Sequence, residues 1–438
     1  MEDALNKIRQ AAENLAPGLF EELRRQISFE SVQQEPLDGA PFGRPVADAL
    51  EHVLALGESM GFACKNHEGF VGTIDWGEGE ELVGVLAHVD VVPAGDAGAW
   101  ETPPFVMTEK DGFVCGRGVA DDKGPLLSSL YGMYALKQLG FKPKKRIRIL
   151  IGANEETGWE CIHYYKEHAL EPPTMSFSPD GMFTVVNREK GILSAVFEKR
   201  VAGVAGIAVE SGDALNLVPS KAIAKFPDGF TLEKNGRSAH AMNPEKGENA
   251  ALALLRALCT NLRLPEALRE DFATLAKLGA PPFDGSAFGI ACTDAVSSPL
   301  TVNLGTLKLA DATLRVGFDI RTPVTANLDA IADKVRAVMA EGGYTSVSEQ
   351  RKAPLYVPDD TFLIKKLCEV YSLVTGNEPV LYAIGGGTYA RAFDNCVCFG
   401  SVYPDENLTV HMPNERTQKE NIVKNMLMYA MALYELTR

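Results

Sequence analysis

The sequence predicts an α/β protein: a mixed-sheet domain with helices on both faces, interrupted by a second, inserted α/β domain. Three observations predict it. From about residue 80 to 180, apolar strand-like runs alternate with helical patterns, the sequence sign of a sheet covered by helices. From about 190 to 355 the texture changes to longer strands around helical runs, and after Pro358 the first texture returns. The 438 residues also exceed what one hydrophobic core usually organises. The expected domains are therefore residues 1–187 with 356–438, and an inserted domain over 188–355.

Each element has its own signal. The opening MEDALNKIRQAAENLA reads as a polar amphipathic helix, without the basic head and apolar stretch of a secretory signal, so a cytoplasmic location is expected. Leu82 to Ala87 is a continuous apolar run that stops at His88, the pattern of a buried strand. Asp122 and Pro125 stand as cap and first-turn residue of a helix that ends near Gly140. Arg146 to Ala153 is a β-rich run that stops at Asn154, Glu155 and Glu156. In the insertion, GILSAVFEKR and ATLRVGFDIR read as strands, and ENAALALLRALC and LDAIADKVRAVMAE as helices. NCVCFGSVYP reads as a late strand, and Thr417 to Glu420 as the capping box of a closing helix.

Composition excludes several classes. Apolar residues make up 46% and charged residues 23%, with no apolar run long enough to span a membrane. A formal charge of -15 opposes a phosphate backbone, and no basic stripe with interleaved aromatics is present, so no nucleic acid partner is expected. The eight cysteines are scattered, and the close pair Cys396 and Cys398 lacks zinc-knuckle spacing, so buried thiols are expected.

Five segments deliver acidic or imidazole groups: HVD with His88 and Asp90, ADDKG with Asp121, NEETG with Glu155 and Glu156, SFSPDG with Asp180, and LTVHMPNE with His411. Taken singly, each has an ordinary reading: a histidine beside a surface carboxylate, a helix cap, a solvated acidic pair, a turn residue, a structural histidine. Together, at the ends of apolar strands, they are expected to converge on one sheet edge. Gathered there without cations, the carboxylates would repel one another and pay heavily for desolvation. Two divalent ions bring four positive charges against three ligating carboxylates and a hydroxide, and mixed His and carboxylate ligands suit Zn²⁺ or Mn²⁺ better than Mg²⁺.

The motifs AHVDVVP, GRGVADDKG, NEETG, SPDG and HMPNE resemble, in order, the metal motifs of the dinuclear zinc peptidases that include acetylornithine deacetylase and succinyl-diaminopimelate desuccinylase. NGRSAHAMNPEKGENA, DIRTP and GGGTYAR make the chain most similar to the bacterial dipeptidases of the PepV type. The resemblance implies a zinc-peptidase catalytic domain with an inserted lid and two Zn²⁺ per subunit, with Mn²⁺ also satisfying the ligands. One ion would be held by His88, Asp121 and Asp180, the other by Asp121, Glu156 and His411, with Asp121 bridging. Asp90 would orient the His88 imidazole. Glu155, beside a ligand but not one itself, would be the general base for the attacking water. A cis peptide between Asp121 and Asp122 is also implied.

On the lid, the resemblance makes His240 the residue that stabilises the oxyanion, where a plain loop histidine is the competing reading. Asn216 would hold the carbonyl oxygen and Arg321 the substrate's terminal carboxylate. Gly385, Gly386 and Gly387 would present backbone N–H groups to the same carboxylate, against the reading of an ordinary turn. Lid closure over a short substrate would exclude water and long peptides. The leading expectation is hydrolysis of the peptide bond of short peptides, above all dipeptides, by a monomer with an enlarged lid. The alternatives are an N-acyl-amino-acid deacylase and a non-catalytic metal- or peptide-binding protein on the same fold.

Overall fold

The computed structural model describes residues 2–438. They divide into two compact units: the first runs to Asn187 and takes in Val357–Tyr382 and Thr388–Arg438, the second comprises Arg188–Tyr356 and Ala383–Gly387. The short segment Ala383–Gly387, which the sequence groups with the C-terminal part of the first domain, thus lies with the second unit.

The chain opens with α1 (Glu2–Ser28), which continues well past the expected amphipathic stretch and through Pro17. An internal proline removes a helix hydrogen bond. Burial of Leu5, Ile8, Ala12, Leu19, Leu23 and Ile27 along one face outweighs that loss. There follow α2 (Arg44–Ser59), β1 (Ala63–His67), β2 (Val71–Trp76), β3 (Leu82–His88), β4 (Thr108–Lys110), β5 (Phe113–Cys115), α3 (Lys123–Gln138), β6 (Arg146–Gly152), α4 (Glu160–Glu167), β7 (Met175–Ser178) and β8 (Val185–Glu189). In the first unit the large sheet runs in the order β1-β2-β6-β3-β7, with neighbours β3 and β6, and β3 and β7, parallel, and β2 antiparallel to both β1 and β6.

Register fixes which face each residue takes, because paired residues share a face. Ile74, Ile149, Val85 and Phe177 line up across four strands. His88 pairs with Gly152 and therefore faces the other way. A Cβ on Gly152 would come within 2.2 Å of the Tyr389 hydroxyl, so glycine is what lets that tyrosine lie beside the strand end. Gly57 of α2 lies against Ile74.

The second unit holds β9 (Gly191–Arg200), β10 (Ala208–Ser211), β11 (Lys221–Lys225), β12 (Thr231–Asn235), α5 (Ala250–Leu258), α6 (Glu266–Leu278), β13 (Thr301–Ala310), β14 (Thr313–Thr322), α7 (Leu328–Glu341), β15 (Thr345–Lys352) and β16 (Leu355–Tyr356). Seven of these strands form an antiparallel sheet in the order β12-β11-β10-β13-β14-β9-β15. Its core packs Phe197, Val316 and Phe318 from the strands with Leu254, Phe272 and Val335 from the helices. Asn249 and Asn327 cap α5 and α7, accepting from the N–H of Leu252 and Ala330.

The chain then adds α8 (Phe362–Thr375), β17 (Leu381–Ile384), β18 (Cys396–Cys398), β19 (Arg416–Gln418) and α9 (Lys419–Thr437). In the first unit β18 pairs parallel with β7 and antiparallel with β8, so the large sheet is mixed. Tyr429 of α9 stacks on Phe177, which places α9 on the same sheet face as α2. The opposite face carries α4, whose Cys161 lies against Gly152. A smaller sheet joins β19, β5 and β4.

Two local expectations fail. Thr417 is not a helix cap: it lies on β19, its hydroxyl donates to Glu406, and Gln418 precedes α9 without a side-chain cap. Asp122 occupies the cap position of α3, but its carboxylate accepts from the His88 N–H instead. In both cases a tertiary partner wins over a local one. None of the eight cysteines forms a disulfide; Cys115, Cys161, Cys396 and Cys398 are buried and the other four half-buried. Among the described residues, no helix is long and apolar enough to cross a membrane.

Candidate metal centre

β3 is buried along its whole length, so it can only end where the chain meets a polar partner, and it ends at His88. The imidazole Nδ1 lies 3.0 Å from the Asp90 carbonyl oxygen. A carbonyl only accepts, so Nδ1 carries the proton and Nε2 is the ring's candidate ligand atom. Nε2 in turn is 3.0 Å from Asp121 Oδ1.

Asp121 does not stand at a strand end, as the sequence reading has it. It closes the turn between β5 and α3, and its peptide to Asp122 is cis. Its second oxygen, Oδ2, is 3.0 Å from His411 Nε2. One carboxylate thus faces two histidines, one with each oxygen. His411 also comes from a turn, not a strand, with φ of 63°. Its Nε2 lies 3.2 Å from Glu156 Oε1 and 3.1 Å from Oε2. Asp180, two residues beyond β7, completes the set.

Two triads result, His88 with Asp121 and Asp180, and Asp121 with Glu156 and His411, the candidate ligand atoms of each lying within 4.8 Å of one another. Asp121 belongs to both.

Asp90 does more than the sequence reading assigns. Its carbonyl holds the His88 ring, and its carboxylate stands 3.5 Å from the same Nδ1. The two carboxylate oxygens accept from the N–H groups of Glu155 and Glu156, each at 3.0 Å. Asp90 therefore ties the NEETG turn to the HVD strand end.

Glu155, like Asp90, lies outside both triads. Its Oε1 accepts from the Trp159 indole N–H at 3.1 Å. Trp159 packs edge-on against Tyr389, which meets His88 in the same way. The sequence reading missed Trp159; the spacing of an indole four residues after a candidate base was the available signal.

The electrostatics follow from burial and crowding. Burial, with the charge of Asp121, pushes the Asp180 carboxyl up to about 7. Burial likewise raises Glu155 well above the usual range, and raises Glu156. For Asp121 burial acts upward too, but the hydrogen bonds from His411 and His88 outweigh it and hold its pKa low. Hydrogen bonds to Asp121 and Glu156 push His411 up to about 10. Burial alone would lower His88, yet Asp121 and Asp90 raise it well above its ordinary value. In the bare protein, protons on the two rings hold the carboxylates together. Imidazole nitrogen and carboxylate oxygen, crowded and acceptor-rich, are a donor set that fits divalent cations in place of those protons.

In the second unit, Asn216 and His240 are exposed neighbours: the Ala241 N–H donates to the Asn216 carbonyl at 2.9 Å. The Met242 N–H donates to His240 Nδ1 at 3.1 Å, which leaves the ring proton on Nε2 as an outward donor. Arg321 is buried, and its fork is already engaged. Nε and Nη2 donate to the two oxygens of Asp319 at 2.5 and 3.0 Å, and Nη1 donates to the Gly385 carbonyl at 2.8 Å. The bidentate carboxylate partner is thus internal, and only the remaining Nη protons are open to a ligand.

The glycine segment follows other reasons than those expected. Neither Gly385 nor Gly386 has positive φ. Gly385 is needed because a Cβ would meet the Met242 Cβ at 2.6 Å, whereas Gly386 has open space.

Comparison with known proteins agrees with this chemistry. The model of peptidase family M20/M25/M40 matches residues 84–435. The putative dipeptidase YtjP of Bacillus subtilis (strain 168) is 33% identical, over 96% of this chain and 97% of that protein. The Beta-Ala-Xaa dipeptidase of Lactobacillus delbrueckii subsp. lactis is 31% identical over 98% of each. Among solved structures, human carnosine dipeptidase 1 shares the fold with a TM-score of 0.64, 16% identity, and coverage of 99% of this chain and 98% of that one.

Proposed function

The chain belongs to peptidase family M20/M25/M40, and from that premise we propose that it is a metal-dependent dipeptidase in which Glu155 carries the proton. The observation that carries the reading is Asp121, with one oxygen directed at His88 and the other at His411. A carboxylate so placed suits a bridge between two cations, one held with His88 and Asp180, the other with Glu156 and His411. Zn²⁺ and Mn²⁺ both match these donors. When bound, the ions supply Lewis acidity toward the scissile carbonyl and toward water.

The chain's own residues do the rest. Glu155 takes a proton from the attacking water and returns it to the departing amine as the C–N bond breaks, leaving a carboxylate and a free amine. The Trp159 indole N–H donates to Oε1 and so orients the carboxylate that carries the proton. His240 offers Nε2–H to the oxygen that gains charge, and Asn216 a second polar group. Arg321, oriented by Asp319, offers its remaining N–H groups to the substrate's terminal carboxylate, beside Gly385, Gly386 and Gly387.

Names of relatives support a dipeptide substrate: those above are dipeptidases by name. A single chain as the working unit is supported by the outer strands of the second sheet. The edge strand β12 carries Glu233 and Lys234, and β15 carries Glu349, Arg351 and Lys352, charges that oppose edge-to-edge pairing.

The test is a panel of dipeptides, each free and N-acetylated, assayed in zinc and in manganese. Hydrolysis of the free dipeptides is expected to dominate. A strong preference for acetylated partners would replace this reading with N-acyl-amino-acid deacylation.

A further inference from the structure

Of the motif HMPNE, only the histidine enters the ligand set. The last residue, Glu415, is fully buried, and four donors surround its carboxylate. Oε1 accepts from the backbone N–H groups of Gly118 at 3.0 Å, Ala120 at 3.0 Å and Asp121 at 3.3 Å. Oε2 accepts from Arg117 Nη1 at 2.6 Å. The Glu415 carbonyl also accepts from the Gly116 N–H at 3.0 Å. The whole turn from Gly116 to Asp121 is therefore wrapped around one side chain from a segment about 300 residues away in sequence.

That segment is the one that presents His411. Between His411 and Glu415 the backbone takes two left-handed residues, His411 and Asn414, with φ of 63° and 62°. Asn414 is pinned in turn, accepting from the Glu101 N–H at 2.7 Å and donating to the Ala99 carbonyl at 3.0 Å. Immediately after Glu415 the chain enters β19, with Arg416 opposite Cys115. The turn ending in Asp121 and the turn carrying His411 thus share one buried anchor. The cation that balances it, Arg117, is itself buried, donates to the Pro93 carbonyl at 3.3 Å and lies over the Trp100 ring.

We propose that Glu415 is a positioning residue for the dinuclear centre, which sets the separation of Asp121 from His411 and so governs the affinity of one ion more than the other. This rests on the two-ion reading above. Of the three ligands assigned to the second ion, Asp121 and His411 both hang from turns that Glu415 anchors. Of those assigned to the first, only Asp121 does, since His88 ends β3 and Asp180 follows β7. A residue that merely held the fold would weaken both sites alike.

The experiment titrates Zn²⁺ into metal-stripped full-length protein, in competition with a chromogenic chelator, for the parent, Glu415→Gln, Glu415→Ala and the pair Arg117→Met with Glu415→Gln. The pair removes the guanidinium that a neutral residue 415 would leave unbalanced. The parent is expected to take up two ions. In each variant the first ion should bind within a few fold of the parent and the second about 10- to 100-fold more weakly, with Glu415→Gln the mildest because its amide oxygen still accepts. Parent and variants that bind both ions equally well, or variants that lose both equally, would overturn the positioning role alone. Unfolding of all three metal-free variants by circular dichroism would make Glu415 a folding residue and overturn it as well. A parent that takes up fewer than two ions would overturn the two-ion reading and this inference with it.

Discussion

Arg321 and Asp319 in the second unit close on each other, one cation against one carboxylate, with Ser194 and Gly385 satisfying further atoms. In the first unit Asp121, Glu155, Glu156 and Asp180 crowd around two imidazoles, and burial drives the pKa of three of them upward. Both regions bury charge, but only the Arg321–Asp319 pair is balanced within the chain; the two imidazoles are outnumbered by the acids around them. A pair that is complete within the chain orients a group and holds it ready. A set with surplus acceptors stays poised for something the chain does not supply, and here that is divalent cations.

The contrast can be broken most sharply at Glu155. Glu155→Gln removes the proposed proton carrier while leaving both triads intact, so kcat on a free dipeptide should fall about 10³-fold, within the range for general bases, with metal content unchanged. Hydrolysis near the parent rate would remove Glu155 from that role. At Arg321, Arg321→Lys keeps the charge but loses the planar fork, so KM should rise about 10-fold with kcat and metal content nearly unchanged. A fall in bound metal instead would show that the two regions are not separable in function.

A smaller effect sharpens the same contrast through pH. Asp180 is pushed up to about 7 and His411 to about 10, both above their unfolded values. Their contributions to the metal-free protein are therefore fully present below the unfolded pKa and are lost as pH rises through about 7 and about 10 respectively. Asp121, held low by the two histidines, acts oppositely: its contribution is present above the ordinary carboxylate range and lost in acid. Calorimetry of the stripped protein should find the highest unfolding temperature near the ordinary carboxylate range, at about pH 4, with a decline toward alkaline pH. Zinc should flatten that decline. A metal-free profile that is level up to pH 9 would contradict the coupling.

Much of this was legible in the sequence where chemistry sits at a strand end. His88 and Asp180 follow apolar runs that can only be buried strands, and the textures of the two α/β regions mark the insertion. Asp121 and His411 come from irregular turns, so only the order of motifs singled them out. The residues that went unread act through long-range partners. Glu415 and Arg117 are nearly 300 positions apart, and Thr417 looks like a cap until Glu406 takes its hydroxyl. Trp159 and Asp319 were closer to reach. Asp319 and Arg321, two apart on β14, necessarily share a face of the sheet.

The central claim is that Asp121 serves two cations at once. It is tested most directly by elemental analysis of zinc-loaded, desalted parent and Asp121→Asn protein, measured side by side. Two ions per chain in the parent, and loss from both sites in the variant with hydrolysis abolished, is the expected result. Full occupancy retained by the variant, or a single ion in the parent, would contradict it.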